Sequence, residues 1–231
     1  GLEAIGLSGE AFGNPVEANN ATLAGIDANS GQSRFDGPVT VTGACTLRAD
    51  APFTIAGNIG GAGSINKTSA GTLTISGATS HGGDTTVTAG TLVLSQPSTL
   101  ADASAVRIAN SGTLNFAAAG SDVVDAFFIE GVQQADGIWG ALDSITAQFK
   151  TARITGPGLL LVGDLSSPFD AWALANGLDG TPGKENGKND DPDGDGSSNL
   201  VEFAFDGDPL SGSDNAKVFV FTADSSDVPA G

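Results

Sequence analysis

The sequence has 231 residues, with 34 glycines, one cysteine, no methionine and no tyrosine, and its formal net charge is −18. Nine Lys and Arg against 27 Asp and Glu offer little basic charge to neutralise phosphates, so no nucleic-acid partner is expected, and an anionic membrane surface would repel the chain. The single Cys45 allows neither an intramolecular disulfide nor a multi-cysteine metal site, and no apolar run reaches the roughly 18 residues a membrane-spanning helix needs.

Charge divides the chain. Residues 1–163 hold 13 acids and 6 bases, whereas residues 164–231 hold 14 acids and 3 bases. A domain change is therefore predicted at Gly163, giving a repeat domain over 1–163, an acidic module over 164–215 and the start of a further strand or truncated domain over 216–231. No leader peptide is visible at residue 1, and the chain opens inside a strand-like pattern, so it reads as a piece of a longer precursor.

Short strands fill the first part. Val39-Thr40-Val41 and Cys45-Thr46-Leu47 alternate apolar and polar residues on either side of Gly43, as two strands meeting at a corner. Phe53-Thr54-Ile55 and Ser64-Ile65 read as further strands, and Thr86-Val87-Thr88 runs through Gly90 into Thr91-Leu92. A pentad, Gly-x-apolar-x-apolar, starts at Gly43, Gly71, Gly90, Gly112 and Gly158, in steps of 28, 19, 22 and 46 residues. A period of about 20 to 25 residues is that of one solenoid rung.

Alternate side chains of a strand face the same way, so the two apolar positions of each pentad point inward and the Thr or Asn between them points to solvent. One rung buries too little alone; rungs stacked about 4.8 Å apart bury a continuous column and pair their backbone edges. The predicted fold is all-β, a right-handed parallel β-helix (solenoid) of roughly seven rungs over 1–163. Leu73, Leu92 and Leu114 should share one interior column. A small helix-containing calcium-loop module should follow. The dense apolar group Val123, Val124, Phe127, Phe128 and Ile129 suits the closing rungs, with Trp139 as a lid on the last of them.

The stretch from Gly60-Gly61-Ala62-Gly63 through Lys67, Gly71-Thr72-Leu73 and Gly82-Gly83 to Leu94 resembles the passenger-associated transport repeat, also called the autotransporter-associated β-strand repeat. That family's form has a Gly-rich start, a Lys before Gly-Thr-Leu and a Gly-Gly-Thr-Thr-Val step. Here Asp84 is inserted before Thr85-Thr86-Val87, and His81 stands where an aromatic residue is common. The resemblance implies a β-helical, secreted or surface-displayed passenger segment, structural or adhesin-like, joined to the outer membrane through regions outside this chain. It implies no catalysis.

Beyond Gly163, Ser167-Pro168-Phe169-Asp170 reads as a helix start with Ser as cap, and Gly177 as its stop, predicting a helix over 168–176. After a polar coil, Asp191, Asp193, Asp195, Gly196, Ser197, Asn199 and Glu202 fall at the spacing of an EF-hand calcium loop. Three aspartates alternate along a tightly curled backbone, Gly196 permits the sharp turn, Ser197 offers its carbonyl, Asn199 ligates directly or through water, and Glu202 brings two oxygens. Calcium is the predicted cofactor. Ser198 stands where a paired EF-hand has an apolar residue, and no helix pattern precedes the loop. The arrangement resembles the single-loop units of dockerins and thrombospondin type 3 repeats. One loop instead of two weakens a dockerin-like cohesin partnership. Lys217 to Thr222 reads as a single strand.

Little else in the sequence offers chemistry. His81 is expected as an exposed loop residue and Cys45 as a buried, inert thiol. Asp84, Asp102, Asp122 and Asp125 are scattered, the pairing of Arg48 with Asp50 along one strand face is ordinary, and Gly60-Gly61-Ala62-Gly63 lacks the Lys-Ser/Thr of a phosphate loop. The expected function is non-enzymatic and structural or adhesin-like. Calcium, surface glycans and a host or scaffold protein are its candidate partners. The alternatives are a carbohydrate-active β-helix lyase or hydrolase and a calcium-dependent docking module.

Overall fold

A computed structural model describes residues 2–4, 11–25, 33–163, 168–178 and 182–213. The expected cap Ser167 and the expected strand 217–222 lie outside them. The chain divides into two compact units, Gly1–Asp164 and Leu165–Gly231.

The first unit is a parallel β-solenoid of three faces. Its first turns are β1 (Leu2–Ala4), β2 (Ala11–Phe12) and β3 (Val16–Ala18), then β4 (Thr22–Gly25), β5 (Ser33–Phe35) and β6 (Val39–Val41). They continue as β7 (Cys45–Ala49), β8 (Phe53–Ile55) and β9 (Ile59–Gly61), then β10 (Ile65–Thr68), β11 (Thr72–Ile75) and β12 (Thr79–His81). β13 (Thr85–Leu94) and β14 (Ala105–Phe116) each bend through two faces as one strand, and β15 (Ser121–Val124) follows on the third. Every pairing among these strands is parallel. The register advances by 20 residues from Cys45 to Ile65 and again from Ile65 to Thr85, which is one turn of chain each time.

Alternation turns this register into interior columns. On the second face Phe53, Leu73, Leu92, Leu114 and Ile154 stand one above another, and Phe35, Ile55, Ile75, Leu94 and Phe116 form the neighbouring column. All ten are nearly or fully buried. Burial at about 25 cal/mol per Å² of apolar surface makes these columns the main stabilising term. The pentads do not share one face, however. Cys45 and Leu47 lie on the first face beside Ile65 and Lys67, and Leu160 and Val162 lie on the third beside Asp122 and Val124. The pentad encodes a corner followed by a strand, not a position on the circuit, and this accounts for the uneven steps between its glycines.

The bends need glycine. Gly90 holds φ at +68° where β13 turns between faces, and a Cβ there would strike the Gly71 carbonyl oxygen of the turn below. At the next corner a Cβ on Gly57 would collide with the carbonyl oxygen of Gly37.

The solenoid runs to about five turns, fewer than the seven rungs suggested by the repeat period. The reason is local. β16 (Ala126–Ile129) stacks on β14, but Glu130 and Gly131 both have positive φ, 53° and 80°. These two residues close a tight hairpin, and β17 (Val132–Gln133) returns antiparallel to β16. β18 (Gly137–Gly140) then pairs antiparallel with β21 (Leu159–Val162) and parallel with β19 (Phe149–Lys150), while β20 (Ile154–Thr155) rejoins β14. Trp139 of β18 sits edge-on to Phe127, ring centroids 5.3 Å apart, and stacks on Phe149 at 4.9 Å. Its indole N–H donates to the Ala135 carbonyl at 2.9 Å, so the large ring is buried with its polar atom satisfied.

In the second unit α1 (Pro168–Ala175) and α2 (Asn199–Phe205) are the helices among the described residues. α1 stops by a Schellman arrangement. Gly177 has φ of 80°, its N–H donates to the Leu174 carbonyl and the Leu178 N–H donates to that of Ala173, both at 3.0 Å. Phe169, Ala173 and Leu178 are buried, with Trp172 and Phe203 packed on them.

Candidate metal centre

The acidic loop folds because its aspartates cap their own backbone. Asp191 accepts the N–H of Gly194 at 2.9 Å and of Gly196 at 3.0 Å on its two oxygens. Asp193 Oδ1 accepts Asp195 N–H at 3.2 Å, and Asp195 Oδ1 accepts Ser197 N–H at 2.6 Å. Gly194 and Gly196 supply the positive φ values, 73° and 97°, that let the chain curl this tightly. The result is that one oxygen each from Asp191, Asp193 and Asp195 lies within 4.8 Å of the others.

α2 begins at Asn199 and brings two more polar side chains to the loop. Asn199 and Glu202 are each 0% exposed, unusual for an amide and a carboxylate at the two ends of one helical turn. Asn199 Nδ2 donates to the carbonyls of Glu185 at 2.8 Å and Gly187 at 2.9 Å, which fixes the amide. Its Oδ1 has no hydrogen-bond partner. Neither have Glu202 Oε1 and Oε2, Asp193 Oδ2 and Asp195 Oδ2, all of them buried. Burial first, then the charges of Asp193, Asp195, Asp191 and Asp208, push the Glu202 carboxyl up to about 7. Burial likewise raises the Asp193 carboxyl.

Buried oxygens without donors are rare and costly, so a cluster of them calls for a positive partner. The donor set is all oxygen and mostly anionic, with no nitrogen or sulfur ligand, and this chemistry suits a hard divalent cation such as calcium over zinc or copper. Of the six residues singled out by spacing, Asp191, Asp193 and Asp195 are brought together, and Asn199 and Glu202 carry orphaned oxygens. Ser197 is half-buried in the turn, anchored through its N–H. The sequence did not reveal the hold of Asn199 on residues 185–187, since those carbonyls carry no side-chain signal.

The solenoid has polar interior residues of its own. Lys67 is 1% exposed and stands between Leu47 and Val87 in a first-face column. Its Nζ donates to the carbonyls of Thr68 at 2.9 Å, Ser69 at 2.7 Å and Ala89 at 2.8 Å. Burial lowers its pKa to about 8, against the pull of the Asp50 charge. His81, expected on an exposed loop, is 2% exposed instead. It is the inward residue at the end of β12, its Nε2 lies 3.0 Å from Thr85 Oγ1, and burial lowers its pKa. Its register partner one turn earlier is Gly61, which brings no side chain to compete for that position. That glycine, 20 residues upstream, was the available clue.

Two scattered aspartates have structural employment. Asp122 is 1% exposed and accepts Thr99 N–H and Oγ1–H at 2.8 Å and Leu100 N–H at 3.0 Å, tying residues 99–100 to β15 in place of a strand. Asp84 accepts Ala105 N–H at 2.9 Å and lies 3.4 Å from Arg107 Nε.

Compared with known proteins, residues 65–94 match the family model described as Passenger-associated-transport-repeat. This span covers β10 to β13, with Lys67 and Gly90 inside it. No curated protein and no solved structure matched the chain. The repeat and the β-solenoid together fit a structural, autotransporter-like passenger segment.

Proposed function

We propose that this chain is a non-enzymatic segment of a secreted or surface-displayed bacterial protein, in which the solenoid serves as an adhesin-like spacer and the second unit holds a structural calcium ion. Attachment to the outer membrane belongs to regions outside this chain, and surface glycans or a host or scaffold protein are the partners such a spacer would present to. The passenger repeat over 65–94 supports the setting. The commitment of Asp122 and Asp84 to backbone donors supports a scaffold over a hydrolase or lyase, whose acids must be free to exchange protons.

The calcium reading rests on one observation: five buried oxygens of Asp193, Asp195, Asn199 and Glu202 lack donors. Asp191, the Ser197 carbonyl and these oxygens would hold the ion, which would supply the neutralising charge. Calorimetry of the full chain tests it. Calcium should bind to the wild type with measurable heat and at least tenfold more weakly to Glu202→Gln, which keeps the side chain's size and removes its charge. No heat in the wild type, or equal affinity in the variant, overturns the reading.

A further inference from the structure

The candidate centre and the apolar cluster of the second unit share one short helix. Asn199 and Glu202 of α2 carry orphaned oxygens. Phe203, the next residue, packs edge-on against Phe169, centroids 5.7 Å apart at 86°, and against Trp172 at 5.6 Å and 63°. Lys188 makes a second link, because its carbonyl accepts Leu200 N–H at 3.0 Å while its ammonium lies 5.6 Å from the centre of the Phe169 ring.

This cluster is small, with Phe169, Ala173 and Leu178 buried under Trp172 and Phe203. So few apolar side chains offset little of the entropy lost on ordering two helices and a long loop. The loop adds repulsion, because oxygens of Asp191, Asp193 and Asp195 lie within 4.8 Å of one another and both Glu202 oxygens are buried without a donor. We infer that cation binding by residues 191–202 and the seating of α1 on α2 through Phe203 are one folding equilibrium; the inference rests on the calcium reading above. The cation removes the repulsion, fixes α2 through Asn199 and Glu202, and so presents Phe203 to Phe169 and Trp172. By reciprocity, a docked α1 tightens the cation site although it contributes no ligand. The solenoid, with its own apolar columns, takes no part.

Hydrogen exchange on the full chain, with calcium and with chelator, tests the coupling. Chelator should strip protection from the amides of Trp172 to Leu178 and leave those of residues 45–94 unchanged. Phe203→Ala keeps every ligand group and should weaken calcium binding tenfold or more by calorimetry, with Phe203→Leu recovering most of the loss. Binding heat without a change in α1 protection, or an unaltered Kd in Phe203→Ala, overturns the coupling and leaves the calcium site standing. No heat in the wild type overturns both.

Discussion

Lys67 shows how a charged side chain can serve inside an apolar column. An ammonium has three N–H donors, and here three carbonyl oxygens meet them. Replacing it with Met keeps the stem's packing and takes the ammonium donor away from those three carbonyls. Lys67→Met should cost on the order of 2 kcal/mol, seen as a lower melting temperature of the solenoid. Cys45 lies in the adjacent column, 1% exposed, and burial pushes its thiol from 9.0 up to about 11. Between those values the folded chain keeps a proton that the unfolded chain has released. Its contribution to stability is full below pH 9 and is lost as pH rises through 11. Lys67, with its own pKa lowered to about 8, adds stability over the same range, so the Cys45 loss is read as the difference between denaturant melts of the chain and of Cys45→Ala from pH 8.5 to 11. The same burial predicts that the thiol reacts with alkylating reagents only after unfolding.

At the scale of strands and corners, glycine decides whether turns stack. Gly57 leaves no space for a side chain against Gly37 in the turn below, so Gly57→Ala forces two turns apart at a corner. A loss of about 1 to 3 kcal/mol is expected, as for other substitutions that overpack a buried position. Urea melts of the variant would measure it, and a loss below about 0.5 kcal/mol would mean the corner relaxes freely. The hairpin at Glu130-Gly131 has the opposite role, since it ends regular stacking. Antiparallel β17 pairs with Phe128 and Ile129 of β16, and Trp139 lies edge-on to Phe127, so the last stacked strand of the first face is met by a two-residue edge strand in place of a long parallel one.

At the scale of the molecule, the two units are stabilised by different physics. The first has repeated apolar columns with a few satisfied polar groups among them. The second has a minimal aromatic cluster and a group of converging carboxylates. Calorimetric scans of the whole chain should therefore respond unequally to calcium. At a free concentration 100 times the Kd, linkage adds about 2.7 kcal/mol to the unit that binds the ion. Only the transition of the second unit should move up, and chelator should return it. A shift of both transitions, or of neither, counts against this division of labour.

Much was legible in the residues alone. Period-2 alternation named the buried positions, including Leu73, Leu92 and Leu114, because a strand's side chains alternate whatever surrounds them. The spacing of Asp191, Asp193 and Asp195 was equally local, since a curled loop of that length brings its own carboxylates together. The face each pentad occupies, the inward turn of Lys67 and His81 and the early end of the helical path were decided by tertiary structure. Those depend on which residue lies one turn below, such as Gly61 under His81, and that pairing follows from corner lengths summed around a whole circuit. Local pattern fixes what a strand buries; only the closed circuit fixes what it is buried against.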